Sequence, residues 1–407
     1  MQAELIAIGS ELVLGEIVDT NSAQIARMLR TIGLAVSRTT SIADDLPAIT
    51  RLVQEACARS AIVITTGGLG PTVDDPTRAA VAAALSQDLR YHPELWHQIK
   101  ERFARWGRIP GENNRQQAYV PEKGTPIENP VGTAPAFWVE HEAAYGRGVV
   151  ISLPGVPREM EYLLSQRVLP YLRERFDLTG CIKARVLRTI GVGESVIDAQ
   201  IGELEKLVNP MVGLNAHAGN VDIRITATAS SETEADALIA PVEAQVRAAL
   251  AEHIYGTDGD AIDHVIGRLL ESSGQRLALA ETGTAGQLNA RLAVLPMAAT
   301  VYAGAGSLGA DEDLTAVAER LRASQGAHIG VALRVYQGAG PADPRGLEYA
   351  VSDRFGTETQ RSGYGGPPAS LPLWSTTAVL NMLWRRLRTA AVSSEIAEPS
   401  RPTPNLQ

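Results

Sequence analysis

Two segments of the chain combine carboxylates with glycines: GSELVLGEIVDTN, residues 9–21, and TTGGLGPTVDD, residues 65–75. Each follows an apolar run that reads as a buried strand, Ala3 to Ile8 and Ala61 to Ile64. Both loops therefore fall at the carboxyl edge of one sheet, where open α/β folds bind ligands. Gly67, Gly68 and Gly70 let the backbone approach a ligand closely, and exposed amides near a helix start donate to phosphate. Glu11, Asp19, Asp74 and Asp75 supply hard carboxylate oxygens of the kind that Mg²⁺ or Mn²⁺ takes alongside ligand phosphates. The chemistry is that of a phosphate and divalent-metal site. Asp75 also has a second reading, as the N-cap of a helix whose first residue is Pro76.

NPVGTAPAF, residues 129–137, and LPGVPREM, residues 153–160, add Gly and Pro turns beside strands, with Thr133 and Arg158 as phosphate contacts; Arg158 can instead pair with Glu159 or Glu161. Asn113, Asn114 and Arg115 offer further donors or form a surface loop. The seven His show no HExxH spacing, and there is no GxSxG elbow, so zinc peptidase and α/β-hydrolase chemistry lack support. The Gly-rich loop has no Gly-Lys-Ser/Thr, which excludes a P-loop NTPase.

Elements that can hold these loops follow from periodicity. Residues 1–175 alternate short apolar runs with helical stretches, the pattern of an α/β domain with a mostly parallel sheet. Helices are expected from Thr20-Asn21 to about Ile32, over Leu46 to Ala58, and from the PGVPREM turn through Leu164; further strands are expected at Leu34 to Thr39, Phe137 to Glu140 and Gly148 to Leu153. In the stretch Pro93 to Trp106, Leu95, Ile99, Phe103 and Trp106 make one apolar stripe. Residues 181–255 read as a small α+β module whose two strands before the last helix are KH-like. Its six basic residues are outnumbered by ten acidic ones, so nucleic acid is not an expected partner. A third α/β module spans 261–390, and the Pro-, Ser- and Glu-bearing segment 391–407 is expected to be disordered.

A length of 407 residues exceeds what one hydrophobic core supports. With 45% hydrophobic and 20% charged residues the chain belongs to the folded class, and its net charge of −9 supplies no pull toward DNA or an anionic membrane. Only Cys57 and Cys181 are present, which excludes a disulfide scaffold. No run approaches the ~20 apolar residues of a membrane helix, and the acidic start lacks the pattern of a signal peptide. A cytoplasmic location is expected, with a homodimer as the default assembly.

GSELVLGEIVDTN, TTGGLGPTVDDPT, NNRQQAYVP, NPVGTAPAF and LPGVPREM, in that order, resemble the CinA (competence- and damage-inducible) family, and VLRTIGVGES and VDIRITATA are similar to that family's KH-type domain. The resemblance implies a three-layer MoaB/Mog-like, molybdopterin-binding N-terminal fold acting as an ADP-ribose pyrophosphatase that depends on a divalent metal (Mg, Mn or Co). It further implies Asp75, Asp74 and Asp19 in catalysis, and Asp75, Asp19 and Glu11 as metal ligands. Gly67, Gly68, Gly70, Thr72, Asn21, Thr133 and Arg158 would contact the nucleotide substrate.

The C-terminal module is similar to a nicotinamide mononucleotide deamidase, marked in the family by AESCTGG, TYSNxxK and GIAGP turns with the Ser as nucleophile. Here the first turn is Ala280-Glu281-Thr282-Gly283-Thr284-Ala285-Gly286, with Thr282 at the nucleophile position. The second corresponds to residues 308–314, where Gly309 replaces Tyr and Leu314 replaces Lys. The third is kept as Gln337-Gly338-Ala339-Gly340-Pro341. Thr282, Thr284 and Gly286 thus outline a degenerate site without an activating base. Two other readings stand beside the pyrophosphatase: a nucleotide- or pterin-binding protein without turnover, and residual deamidation through Thr282.

Overall fold

Apolar residues alternating at a two-residue period build the central sheet of the first unit and decide which helix each strand face meets. The computed structural model describes residues 1–143, 146–217, 219–338 and 344–397. These divide into two compact units, Met1–Lys183 with Ala227–Leu238, and Ala184–Thr226 with Ile239 onward.

In chain order the first unit contains β1 (Gln2–Ile8), α1 (Ser10–Val13), α2 (Thr20–Arg30), β2 (Ala35–Ile42), α3 (Leu46–Arg59), β3 (Ile62–Thr66), α4 (Thr77–Ala84), β4 (Leu89–Tyr91), α5 (Pro93–Arg105), β5 (Tyr119–Pro121), β6 (Gly124–Ile127), β7 (Ala136–Ala143), β8 (Gly146–Leu153), α6 (Pro157–Leu163) and α7 (Leu169–Arg175). The sheet order is β2-β1-β3-β8-β7-β6, with the first four strands parallel and the last two antiparallel. Leu5, Ile64 and Ile151 pack on Ile25 and Leu29 of α2 and on Leu163 and Leu172, whereas Ile6, Val63 and Val150 pack on Val53 of α3, Val81 of α4 and Ile99 of α5. The result is a three-layer α/β sandwich.

Three local expectations are corrected. Helix α5 stops at Arg105, and Trp106 is 52% exposed, edge-on to Phe103, so the stripe that meets the core is Leu95, Ile99 and the half-buried Phe103. The helix opened by PGVPREM does not end at Leu164; a π-turn at Leu164–Val168 leads into α7. Asn114 is 7% exposed and holds its own turn, accepting from the Gly111 amide and donating to Gln117, while Arg115 pairs with Glu112.

Next come β9 (Cys181–Thr189), α8 (Glu194–Glu205), β10 (Met211–His217), β11 (Asn220–Ala229), α9 (Glu232–Leu250) and β12 (Ile254–Thr257), in a sheet of order β10-β11-β9-β12. The remaining elements are α10 (Ile262–Ser272), β13 (Leu277–Thr282), α11 (Gln287–Ala293), α12 (Ala298–Val301), β14 (Tyr302–Ala305), α13 (Leu314–Ser324), β15 (Ile329–Gln337), β16 (Arg345–Asp353), β17 (Gly356–Gly363) and α14 (Leu371–Ala397). Their sheet runs β14-β13-β15-β16-β17, with Leu279 and Leu333 facing α10, α11 and α14, and Ala278 and Ala332 facing α13. Alanines on the α13 face let that helix lie close. Helix α14 continues to Ala397, into the segment expected to lack structure from 391; residues 398–407 lie outside the described residues. Among the described residues no helix is long and apolar enough to cross a membrane.

Candidate functional site

Strand register brings the chemistry together. Ala7 of β1 lies opposite Thr66 of β3 and Thr66 opposite Leu153 of β8, all parallel, so three loops leave the sheet at one edge. They enclose a pocket of about 490 Å³ lined by Gly67 to Pro71, Thr133, Gly155 and the carboxylates of Glu11, Asp44, Asp74, Asp75 and Glu159, with no Lys or Arg in its lining.

The Gly-rich loop is bent by Gly67 and Gly68, at φ +100° and +61°. A methyl group at Gly67 would collide with the Ile8 carbonyl, and one at Gly68 with Thr77 Oγ1. The loop carbonyls are tied to the start of α4. Gly67 O accepts from Thr77 Oγ1 at 2.9 Å, Gly68 O from the Thr77 amide at 3.2 Å, Leu69 O from Arg78 Nη2 at 2.7 Å, and Gly70 O from Arg78 Nη1 at 3.4 Å. In a trans peptide the N–H points opposite to the preceding carbonyl. The amides of Gly68, Leu69 and Gly70 therefore face away from α4, and none donates to another described group. The Gly67 amide is committed to Leu153 O at 3.1 Å, which removes it from the expected phosphate donors.

Sequence reasoning did not single out Arg78, which is 4% exposed and whose acidity burial pushes to about 10 against the pull of Asp75. Gln116 and Gln117 hold the same loop from another side, donating to Thr72 O at 2.7 Å and Leu69 O at 3.4 Å.

Of the two readings of Asp75, the helix cap is not the one observed. Helix α4 begins at Thr77, after Pro76, with no side-chain cap, and Asp75 Oδ2 instead accepts from the Thr72 amide and hydroxyl at 2.8 and 2.6 Å. Thr72 thus contributes by holding Asp75, and does not itself line the pocket. Asp19, expected as a metal ligand and catalytic carboxylate, is the N-cap of α2, accepting from the Ser22 amide at 2.9 Å, and is absent from the lining; the cap lies one residue before the expected Thr20-Asn21. Asn21 clamps two loops, donating from Nδ2 to Gly155 O at 2.7 Å and Thr66 Oγ1 at 3.2 Å, with Oδ1 buried and unpartnered. Arg158 is exposed, outside the lining, and paired with neither Glu159 nor Glu161.

Two lining carboxylates were missed. Asp44 Oδ2 accepts from the Ser10 amide and hydroxyl at 2.8 and 2.9 Å; its only signal in sequence is the Asp44-Asp45 pair before α3, of which Asp45 is the cap. Glu159, in the first turn of α6, accepts from Asn129 Nδ2 at 2.5 Å, and burial holds its carboxyl above the usual range against Asn129 and Arg102. Among the described residues no group of three or more His, Cys, Asp or Glu stands ready to hold a metal unaided. The donor set nonetheless suits Mg²⁺, which binds through one or two carboxylates with the rest of its shell from phosphate and water: the side-chain carboxylates of Glu11 and Asp74 accept no hydrogen bond from the described residues, and Asp75 accepts through Oδ2, leaving Oδ1 free.

In the C-terminal module Glu281 carries the AESCTGG-like turn. Oε1 accepts from Asn289 N and Nδ2 at 2.7 and 2.8 Å, and Oε2 from Leu288 N and from the fully buried Thr284 hydroxyl. Gly286 turns the chain at φ +74°. Thr282 ends β13 and makes no side-chain hydrogen bond with the described residues. Tyr302, which spacing did not place in this site, donates to Asn289 Oδ1, and burial beside Glu281 pushes its hydroxyl up to about 12. Of the GIAGP-like turn at 337–341, Gln337 ends β15, and residues 339–341 lie outside the described residues.

The domain family described as "Probable molybdopterin binding domain" matches residues 4–174, and "Damage-inducible protein CinA KH domain" matches 184–256. A CinA-like protein of Parasynechococcus marenigrum is 39% identical over 302 residues, 74% of this chain and 71% of that protein. A CinA-like protein of Frankia casuarinae is 35% identical over 421 aligned residues, 95% of this chain and 96% of that protein. A crystal structure of CinA from Thermoplasma acidophilum, 38% identical, covers 42% of this chain and 96% of its own, with a TM-score of 0.38. On the relatives' identity and coverage, the chain belongs to the CinA-like, competence-damage inducible protein family.

Proposed function

We propose that the N-terminal pocket binds a nucleotide through its diphosphate together with a divalent cation, and hydrolyses the diphosphate bond, with ADP-ribose as the substrate that the sequence resemblance implies. The observation that carries this is the pairing, in one pocket, of free amides at Gly68, Leu69 and Gly70 with the carboxylates of Glu11, Asp74 and Asp75. Five carboxylates and no basic lining repel a diphosphate by themselves. A cation between them reverses the sign of that interaction.

Glu11, Asp74 and Asp75 would hold the cation. When bound, it neutralises diphosphate charge and polarises a phosphoryl oxygen. The chain's own part is positional: Thr72 fixes Asp75, Asn21 fixes the Gly155 turn, and Thr77 with Arg78 keep the loop amides aimed at phosphate oxygens. Incubation with ADP-ribose and Mg²⁺, Mn²⁺ or Co²⁺ is expected to release AMP and ribose phosphate, and chelator to abolish it. No turnover with any of the metals overturns the reading.

A match to a family described as molybdopterin-binding favours a second reading, a pterin or nucleotide bound without turnover. Saturable binding with no product formed would select it. For the C-terminal module we propose retention of the fold without deamidation, supported by the four hydrogen bonds that occupy Glu281. Ammonia released from nicotinamide mononucleotide, and lost in Thr282→Ala, would overturn that.

A further inference from the structure

We infer that Glu159 is the general base of the N-terminal pocket, taking a proton from the water that attacks the diphosphate. This rests on the diphosphate-hydrolysis reading above.

The geometry is that of a carboxylate held by one oxygen and free at the other. Asn129, 7% exposed, cannot turn its amide: Oδ1 accepts from Val131 N at 3.1 Å and Gly132 N at 3.0 Å, and Nδ2 donates to Ala134 O at 2.9 Å. The same Nδ2 donates to Glu159 Oε2 at 2.5 Å, while Oε1 has no partner among the described residues. Gly132 lies against the carboxylate so closely that a methyl group there would collide with it. Any side chain at Gly132 would push Glu159 from its place.

The other pocket carboxylates are differently situated. Asp44 and Asp75 each spend an oxygen on two donors, and Asp74 is exposed. Glu159 is held by a single donor that is itself fixed, and it packs against Gly132. Burial raises its proton affinity, against the hydrogen bond from Asn129 and the charge of Arg102 of α5; Glu11, Asp44, Asp74 and Asp75 are the other charged groups of the pocket. A base is most effective when its pKa approaches the working pH.

In the step, one water proton passes to Glu159 Oε1 as the water oxygen bonds to phosphorus. The bond from that phosphorus to the bridging oxygen breaks, and its electron pair leaves with the departing phosphate. No oxidation or reduction is involved.

Glu159→Gln keeps an acceptor for Asn129 and removes the base. With ADP-ribose and Mg²⁺, kcat should fall about a hundredfold or more, KM and calorimetric binding of AMP should stay within about threefold of the wild type, and the acid limb of the kcat profile should vanish. Glu159→Asp, with the same charge on a shorter arm, should recover part of kcat. An active wild type whose Glu159→Gln variant keeps kcat within about threefold, or loses only AMP binding, overturns the inference alone. A wild type that hydrolyses no diphosphate nucleotide overturns the underlying reading instead.

Discussion

The guanidinium of Arg78 lies beneath the Gly-rich loop, its Nη2 donating to Leu69 O at 2.7 Å and its Nη1 to Gly70 O at 3.4 Å. Replacing it with Met leaves both carbonyls without that donor, at a cost of about 1–3 kcal/mol, and loosens the peptide plane that aims the Gly70 amide, while the Leu69 amide stays aimed by the Thr77 contact to Gly68 O. Arg78→Lys should restore only part, because an ammonium cannot span two carbonyls in a fork. Denaturant unfolding of the full chain measures both; equal stability of the Met variant and the wild type would show the contact to be idle.

Asp75 is held by Thr72, not by a helix end. Asp75→Asn should keep stability within about 1 kcal/mol, since the amide oxygen still accepts from Thr72, and should cut turnover by orders of magnitude by removing the charge. Thr72→Val, which deletes only the hydroxyl donor, should fall between. Paired thermal melts and turnover assays decide it, and a stable, fully active Asp75→Asn would remove Asp75 from the site.

Capping makes the opposite prediction for Asp19. Asp19→Ala should cost about 1 kcal/mol and leave the metal concentration for half-maximal turnover unchanged. A large shift in that concentration would return Asp19 to the metal shell.

Two glycines with positive φ should respond unequally to Ala. Gly15, at φ +74° with nothing within 4 Å of the added methyl, should cost about 1–2 kcal/mol. Gly67 adds a collision with the Ile8 carbonyl to its strain, so its loss should exceed about 3 kcal/mol. Similar melting temperatures for the two variants would contradict the loop geometry.

In the second unit Asp353, 6% exposed, pairs with Arg386 Nε at 2.5 Å. Burial works to raise its carboxyl, but Arg386 and the Phe355 amide outweigh it and hold it below the usual range. A carboxyl depressed in the folded state stabilises above its unfolded value, near 3.8, and that stability is lost as pH falls through the folded value. Asp353→Asn should cost about 1–3 kcal/mol at neutral pH by removing the charged half of the pair and leaving Arg386 with Glu358, at 2.7 Å, as its carboxylate partner, and the gap to the wild type should close in acid. Melts recorded from pH 7 to 2 test the sign.

Local residue order was enough to read the α/β class, the strands at β1 and β3, and the two Gly- and Asp-bearing loops, because apolar periodicity and turn chemistry act over a few neighbouring residues. It also placed Glu11, Asp74, Asp75 and the glycines at one sheet edge, since parallel strands in a crossover fold share the direction of their ends; Thr133 joins them from the turn before the antiparallel β7. Which carboxylate caps a helix and which faces the pocket was not legible. Asp19, expected in the metal shell, caps α2, while Asp75, which carried both readings, caps nothing and lines the pocket, because capping depends on where one backbone turn places its free amides, a difference of a residue or two. Arg78 reaches the site because α4 folds under its own loop; Asp44 and Glu159 entered it only through long-range packing, Asp44 through Ser10, thirty-four residues away in the chain, and Glu159 through Asn129, thirty residues before it. Contacts at such separations are set by strand register and helix packing, and those emerge from the whole three-layer core, not from any one segment.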